Sequence, residues 1–219
     1  MKTLKEYIIE GILDIEDNIE NLTAESLIKD FIRDNYNTIA EIQIKKNGDK
    51  YIVSTKGFVE VSNKNITELT NGLFEWGVVG RCFDCSDCIS LESLTGAPEK
   101  VRGVFFCDDC TSLKSLEGAP KEVGGNFSCG DCTLLKSLEG APKEVGGDFS
   151  CGGCTSLESL KGAPKEVGED FFCDNCASLK SLKHAPEKVG DDFYCSDCGK
   201  KFTEEDVRSV CNVGGEIYV

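Results

Sequence analysis

Cysteine pairs with the spacing Cys-x-x-Cys occur six times in this sequence, always 22 residues apart. Such pairs ligate zinc as thiolates, carry out thiol–disulfide exchange, or pack in a core as small apolar side chains. They stand at 85/88, 107/110, 129/132, 151/154, 173/176 and 195/198. Each of these chemistries predicts a different function, and the surrounding residues must decide between them.

Two kinds of zinc site are compatible with the cysteine spacing. One resembles the start of a zinc finger, with Cys195 and Cys198 as the first pair of ligands. Twelve residues separate Cys198 from Cys211, which would be the third ligand, but a fourth ligand is missing. The only histidine, His184, precedes that pair. The other would join the pairs of adjacent repeats into Cys₄ sites. The candidate ligands are Cys85, Cys88, Cys107, Cys110, Cys195 and Cys198.

The cysteine pairs belong to a longer repeat, whose unit reads V-x-x-x-F-x-C-x-x-C-x-x-L-x-x-L-x-G-A-P-x-x over residues 79–198. In F-x-C the Phe and the first Cys alternate with period two, so they point to the same face of a short strand. The G-A-P segment then interrupts regular structure, because Pro lacks an N–H and Gly tolerates positive φ. One coil cannot bury its apolar side alone, whereas stacked coils bury a continuous core.

Both cysteines of each pair therefore occupy core columns. A buried Cys behaves as a small hydrophobe with a weak donor, and nothing marks one pair as a redox centre. The repeat favours core packing over metal binding and over redox or disulfide chemistry.

The repeat resembles the leucine-rich repeat, L-x-x-L-x-L-x-x-N/C-x-L, with Phe and the first Cys in strand leucine positions and the second Cys in the Asn/Cys position. The segment SLEGAPKEVGGDFSC is similar to cysteine-rich leucine-rich repeat proteins of gut bacteriophages and related bacteria. The resemblance implies an α/β repeat solenoid with short parallel strands and six to seven coils. The seventh is a degenerate first copy, with Val61 in the column of Phe83, and with Ile66 and Leu69 in later columns.

The segment before the repeats predicts a cap. Residues 1–36 have the apolar spacing of two helices, the second beginning after Thr23 as N-cap. Alternating Ile42 and Ile44, followed by an Asn47-Gly48 turn, predicts a hairpin. We therefore expect a small α+β cap over 1–56 and the solenoid over 57–198.

The segment after the repeats predicts a short helical cap over 199–219. Thr203 and Asp206 have the spacing of a capping box, and Phe202 and Val207 that of a hydrophobic staple. The closing GEIYV can add a last edge strand.

The outward strand positions form an acidic surface that contains aromatic side chains. Acidic residues concentrate between the repeat's Val and second Cys, whereas the leucine-to-proline segments are close to neutral. Leucine-rich repeats commonly bind with this face, and exposed aromatics are typical of interface hot spots. Acids that only keep the sheet soluble are the alternative. The candidate partner-binding residues are Asp84, Phe106, Asp108, Asp148, Asp170, Phe172, Asp174, Asp192 and Tyr194.

Charge and composition narrow the class of partner. A net charge of −15 over 219 residues argues against direct nucleic-acid binding and favours a basic protein partner. No apolar run approaches the ~20 residues of a membrane span, and the N-terminus lacks the pattern of a secretory signal. We expect a cytoplasmic protein, in the host cell if phage-encoded, whose fourteen cysteines are not disulfides.

The sequence predicts a non-enzymatic protein–protein interaction scaffold without a cofactor, since neither a phosphate loop nor a Ser/His/Asp set occurs. The resemblance to phage proteins implies two narrower uses. One is a virion-associated component. The other is an inhibitor of a host nuclease or CRISPR-type defence, which presents carboxylates in place of phosphates. A structural zinc-binding repeat protein is a further alternative.

Overall fold

A computed structural model of the chain describes residues 24–38, 41–70 and 72–219, and these form a β-solenoid of about eight turns. The predicted repeat solenoid with short parallel strands is confirmed. Two sheets enclose one continuous apolar core. We call them the phenylalanine sheet and the valine sheet, after the side chains that the repeats contribute to the core from each.

The strands of the phenylalanine sheet are, in spatial order, β1 (Tyr36–Thr38), β4 (Val59–Val61), β6 (Cys82–Asp84), β8 (Val104–Phe106), β10 (Phe127–Ser128), β12 (Phe149–Ser150), β14 (Phe171–Phe172), β16 (Phe193–Tyr194) and β18 (Ile217–Tyr218). Those of the valine sheet are β2 (Ile42–Asn47), β3 (Lys50–Thr55), β5 (Phe74–Val79), β7 (Lys100–Val101), β9 (Glu122–Val123), β11 (Glu144–Val145), β13 (Glu166–Val167), β15 (Lys188–Val189) and β17 (Asn212–Val213).

Each coil contributes one strand to each sheet, whereas the repeat pattern predicts only the phenylalanine strand. The additional strand is two residues long, for example Glu144–Val145, and pairs in parallel with its counterparts in the neighbouring coils. Only its Val is buried, so it has no alternating pattern that could be recognised in the sequence.

The core is built of identical side chains stacked from coil to coil. The rings of Phe83, Phe105, Phe127 and Phe149 are fully buried and stack with centroids between 5.3 and 5.5 Å apart. Full burial of one such ring contributes on the order of 2–3 kcal/mol. Because every coil offers the same columns to its neighbours, each coil buries the apolar face of the next.

The N-terminal end is covered by helix α1 (Ala24–Asn35) and by antiparallel strands. Ile28 and Ile32 of α1 join the core, and the buried hydroxyl of Tyr36 donates to the carbonyl oxygen of Leu69 at 2.6 Å. Strand β1 pairs antiparallel with β4, and β2 with β3. The predicted second helix is confirmed; the predicted first helix lies outside the described residues.

Two predicted details of this end differ from the structure. The hairpin is present, but Asn47 pairs with Lys50, so its turn is Gly48-Asp49 rather than Asn47-Gly48. Val59, not Val61, pairs with Phe83, because the first coil is two residues longer than the repeat. Strand β3, at 50–55, is also the first parallel strand of the valine sheet.

At the C-terminal end, helix α2 (Glu204–Arg208) has the predicted capping box. The Thr203 hydroxyl accepts from the Asp206 N–H at 3.2 Å, and the Asp206 carboxylate accepts from the Thr203 N–H at 2.9 Å. The predicted staple residues Phe202 and Val207 are both buried. The predicted edge strand is β18, which with β17 completes a further coil. Within the described ranges, no helix is long and apolar enough to cross a membrane.

Candidate interaction surface

Three columns of side chains cover the outer face of the phenylalanine sheet, and all nine predicted partner-binding residues lie in them. The central column stands between each Phe and first Cys and consists of Glu60, Asp84, Phe106, Ser128, Ser150, Phe172, Tyr194 and Tyr218. The leading column precedes each Phe and includes Asp148, Asp170 and Asp192. The trailing column follows each first Cys and consists of Ser86, Asp108, Gly130, Gly152, Asp174 and Ser196.

The C-terminal part of the central column is an aromatic stack of Phe172, Tyr194 and Tyr218. Centroids of successive rings are 4.5 Å apart, and their planes are within 12° of parallel. Sequence reasoning missed Tyr218, which is 46% exposed, because the last coil is two residues longer than the repeat. Aligning Val213 and Ile217 with Val189 and Phe193, instead of counting 22 residues, would have found it.

The leading column is a carboxylate ladder that joins adjacent coils. Oδ1 of Asp148 accepts from the Asp170 N–H at 3.0 Å, and Oδ1 of Asp170 accepts from the Asp192 N–H at 2.8 Å. Asp192 accepts from the Glu216 N–H in the same way. At the other end of the ladder, the side-chain amide of Asn126 donates to the carboxylate of Asp148. Charge-assisted bonds of this kind are stronger than neutral ones. These three acids therefore stabilise the stack of coils, in addition to giving the face its charge.

The aromatic stack is hydrogen-bonded to the ladder. The Tyr194 hydroxyl donates to Oδ2 of Asp192 at 3.1 Å. Partial desolvation and this bond to a carboxylate raise the pKa of Tyr194 to about 12. Tyr194 is thus neutral at physiological pH and remains a donor to its carboxylate neighbour.

Asp108 and Asp174 of the trailing column lean toward each other. Oδ1 of Asp108 accepts from the Ser128 hydroxyl and from the Gly130 N–H, and burial raises the pKa of this carboxyl. A Cβ placed on Gly130 would lie 3.2 Å from Oδ1 of Asp108, and one on Gly152 would lie 3.1 Å from Oδ1 of Asp174. Each carboxylate thus extends over the glycine of the coil beside it.

The two coils that contain Gly130 and Gly152 form a depression, which we call the notch. Its floor consists of Ser128, Gly130, Ser150 and Gly152, and its ends consist of Phe106 with Asp108 and of Phe172 with Asp174. Three strand separations of ~4.8 Å place its two aromatic ends about 14 Å apart. The other predicted acid, Asp84, lies outside it and accepts from the Ser86 N–H at 2.9 Å.

Several further acids on this side are explained by the local backbone. The bend after each trailing residue requires a positive φ, which Asp, Asn and Gly tolerate best. It is occupied by Asp87, Asp109, Asp131, Gly153, Asn175 and Asp197, with φ between 52° and 72°. The acids in this column are therefore explained by the turn geometry, and they also add negative charge to this side of the solenoid.

The cysteine columns form thiol ladders in the core. Sγ of Cys85, Cys107, Cys129 and Cys151 donates to a carbonyl of the next coil, as from Cys107 to Ser128 at 3.3 Å. From the second pair onward, Sγ of the second Cys donates to the carbonyl of the first Cys in the preceding coil, as from Cys110 to the Cys85 carbonyl at 3.2 Å. All fourteen cysteines are free thiols, and burial raises the pKa of Cys107. In the part of the chain that the structure describes, no three His, Cys, Asp or Glu side chains are grouped as metal ligands.

The outer face of the valine sheet has a different character. A groove of about 470 Å³ runs along it, and its floor is a column of stacked glycines that includes Gly124, Gly146 and Gly168. A Cβ on Gly146 would overlap the carbonyl oxygen of Gly124, so this position favours glycine for steric reasons, although Arg102 occupies the same column two coils earlier. Exposed ion pairs such as Lys121–Glu99, at 3.0 Å, join coils on this side and contribute ~0–1 kcal/mol each.

Comparison with known proteins finds no matching family model, no matching curated protein and no matching solved structure. The geometry and chemistry of the surface itself therefore provide the basis for inferring a function.

Proposed function

We propose that the protein is a non-enzymatic interaction scaffold that binds a basic protein segment on the outer face of the phenylalanine sheet. One observation carries the proposal: the three outward columns contain acids and aromatic residues, Phe106, Phe172, Tyr194 and Tyr218 among them, but neither Lys nor Arg. Inter-coil ion pairs balance the charge of the leucine-to-proline segments, as between Lys114 and Glu92 at 2.8 Å, whereas the outward columns of the phenylalanine sheet contain acids without basic residues.

The physical argument combines charge with aromatic surface. A face of one charge sign attracts a partner of opposite sign and accelerates its association, an effect that salt screens. Aromatic side chains contribute a large contact area at low cost in conformational entropy and are enriched among interface hot spots. Phe172, Tyr194 and Tyr218 offer this area beside the carboxylate ladder.

A selection from a random peptide library displayed on particles tests the proposal. We expect the immobilised protein to enrich Lys- and Arg-rich peptides at low salt and to lose them at moderate salt. The triple variant Phe172→Ser, Tyr194→Ser, Tyr218→Ser should enrich far fewer. It should fold, because the same column already holds Ser128 and Ser150.

The matched control is the triple variant Glu122→Ser, Glu144→Ser, Glu166→Ser, which alters the exposed acids of the valine sheet. It should enrich the same peptides as the native chain. Enrichment without a bias to basic residues, or equal enrichment by the aromatic variant, would contradict the proposal.

A narrower candidate is the inhibition of a nucleic-acid-binding host protein. The regular row of Asp148, Asp170, Asp192 and Glu216, one acid per strand separation of ~4.8 Å, favours it because it offers evenly spaced negative charge. In that case duplex DNA should compete with this chain for its captured partner. A partner that binds DNA and this chain simultaneously would exclude this candidate and leave the broader proposal unaffected.

A further inference from the structure

The notch arises because two coils differ from their neighbours at two outward positions together. The coils at its ends read Phe-Cys-Asp at 106–108 and at 172–174, whereas the coils between them read Ser-Cys-Gly at 128–130 and 150–152. The backbones stay in register through all four coils. The two serines therefore leave the space of two aromatic rings unfilled, whereas Asp108 and Asp174 extend over the two glycines.

One end of the notch offers the face of an aromatic ring. Tyr194 covers one face of Phe172, since their planes are 12° apart and their centroids 4.5 Å apart. The neighbour of Phe172 on the other side of the column is Ser150, which is too small to cover the opposite face. Phe172 is only partly buried, so that face is open toward the notch.

Both ends of the notch also bring a carboxylate to its floor. Asp108 extends over Gly130 from one end and Asp174 extends over Gly152 from the other. One oxygen of Asp108 is already held by the Ser128 hydroxyl and the Gly130 N–H, which orients the group. The Asn175 side chain donates to Oδ2 of Asp174 at 2.6 Å and holds that carboxylate similarly.

These features favour one kind of side chain. A guanidinium group is planar, stacks on aromatic faces and pairs with carboxylates, whereas an ammonium group is a compact charge that does not stack. An aromatic group could stack on Phe172, but it would desolvate Asp108 and Asp174 without neutralising them. We infer that the notch accepts arginine side chains of the partner segment, an inference that rests on the proposed function.

The length of the notch sets the spacing of the arginines. It has room for two planar groups, one for each coil without an aromatic residue. In an extended segment, residues two apart point to the same side and are ~6.8 Å apart, which fits within the ~14 Å between the aromatic ends. The partner segment should therefore contain Arg-x-Arg.

A peptide titration followed by amide chemical shifts of the native, isotope-labelled protein tests the inference. The probes are the peptide Gly-Ser-Arg-Gly-Arg-Ser-Gly and its counterparts with lysine or with citrulline, the uncharged planar isostere, in place of both arginines. We expect the arginine peptide to shift the amides of Ser128, Gly130, Ser150 and Gly152. The lysine peptide should bind at least about tenfold more weakly, and the citrulline peptide more weakly still.

The variant Ser128→Phe, Ser150→Phe fills the notch with the side chain that Phe106 and Phe172 already place in this column. It should lose at least about tenfold in affinity for the arginine peptide. Its matched control is Glu122→Phe, Glu144→Phe, which adds the same two rings to the valine sheet and should bind as the native protein does.

The outcomes separate this inference from the proposed function. Equal binding of the lysine and arginine peptides, lost in the Phe172, Tyr194 and Tyr218 serine variant, would overturn the inference and support the broader proposal. Arginine-peptide binding that survives filling of the notch would overturn the inference as well. If no peptide binds, the inference is wrong, and the library selection still decides the proposed function.

Discussion

Sγ of Cys132 donates a hydrogen bond to the carbonyl oxygen of Cys107, 3.2 Å away in the preceding coil. Cys110, Cys154, Cys176 and Cys198 repeat the contact at 3.2 or 3.3 Å. From the second pair onward, the second cysteine thus donates to a buried carbonyl of the preceding coil. The six pairs are accordingly a feature of coil stacking.

Removing one of these thiols should lower the stability of the solenoid. Cys154→Ala leaves the carbonyl of Cys129 without its donor and opens a small cavity, so we expect a loss of about 1–3 kcal/mol in the free energy of unfolding. Urea unfolding followed by circular dichroism measures it. Cys82→Ala, at a half-exposed thiol outside the ladder, should stay within about 0.5 kcal/mol. Equal losses in the two variants would contradict a bonding role for the second cysteine.

Gly146 of the valine sheet should lose stability on gaining a side chain, although Arg102 stands at the same position two coils earlier. In Gly146→Ala the new Cβ overlaps the carbonyl oxygen of Gly124, and the backbones must separate to accommodate it. We expect the unfolding free energy to fall by about 1–3 kcal/mol. Glu144→Ala, two residues earlier on the exposed face, should change it by less than about 0.5 kcal/mol. A Gly146→Ala chain as stable as this control would show that the coils are not packed so closely.

The stability difference between native and Asp108→Asn chains should depend on pH. Burial raises the pKa of Asp108 in the folded state, so the folded chain holds this proton more tightly than the unfolded chain, in which it titrates near ~3.9. The protonated carboxyl therefore stabilises the fold below the unfolded-state pKa. This contribution is lost as the pH rises through the folded-state pKa. Urea unfolding at several pH values should show Asp108→Asn gaining relative to native from about pH 3 to about pH 7.

The control for this pH series is Asp131→Asn, at an exposed turn position that Asn175 already occupies two coils further on. It should show a smaller change with pH. A stability difference for Asp108→Asn that stays constant over the same range would contradict the effect of burial.

Cys82 should react slowly although it is partly exposed. Burial, and then the nearby carboxylates of Asp84 and Glu60, raise the pKa of Cys82 to about 11. Relative to an ordinary thiol near ~8.5, its thiolate fraction at neutral pH is lower by about two orders of magnitude. Alkylation with iodoacetamide, followed by mass spectrometry of the peptide, should be correspondingly slow and become faster in Asp84→Asn. A rate equal to that of the urea-unfolded chain would refute this expectation.

Metal removal should leave the fold unchanged, because the thiols of the core columns already donate to backbone carbonyls. We expect the thermal unfolding midpoint of protein purified under reducing conditions to be the same with and without a chelator. Elemental analysis provides the second measurement. Two or more zinc ions per chain, or a midpoint that falls on chelation, would restore the zinc-binding alternative.

The sequence predicts the columns of the core well, because burial repeats with the period of the chain. Phe127, Cys129, Cys132 and Leu135 each lie in a column that the repeat identifies as buried, and each is buried. The capping box at Thr203 was equally accessible, since a cap is a local contact between residues three apart. These features depend on distances along the chain, which a sequence displays directly.

Features that depend on distances between coils were not predictable in the same way. The additional strand has only two residues, and the two coils of irregular length displaced Val59 and Tyr218 from the 22-residue phase. The acids of the outer face could be placed on one side, but not divided into ladder, notch and turn residues. Whether an acid belongs to the ladder depends on whether its carboxylate accepts a hydrogen bond from a backbone N–H of the next coil, as Asp148 accepts from the Asp170 N–H.

The in-register pairing of identical coils has a consequence for how such a protein can change. Duplicating or deleting one whole 22-residue unit keeps the buried columns continuous across every junction between coils, so the core accepts it at little cost. Duplicating the unit that contains Ser150 would lengthen the notch by one strand separation, ~4.8 Å, without altering any residue at its ends. The spacing between recognition groups on this surface can thus be adjusted in discrete steps by recombination, independently of the point mutations that set their chemistry.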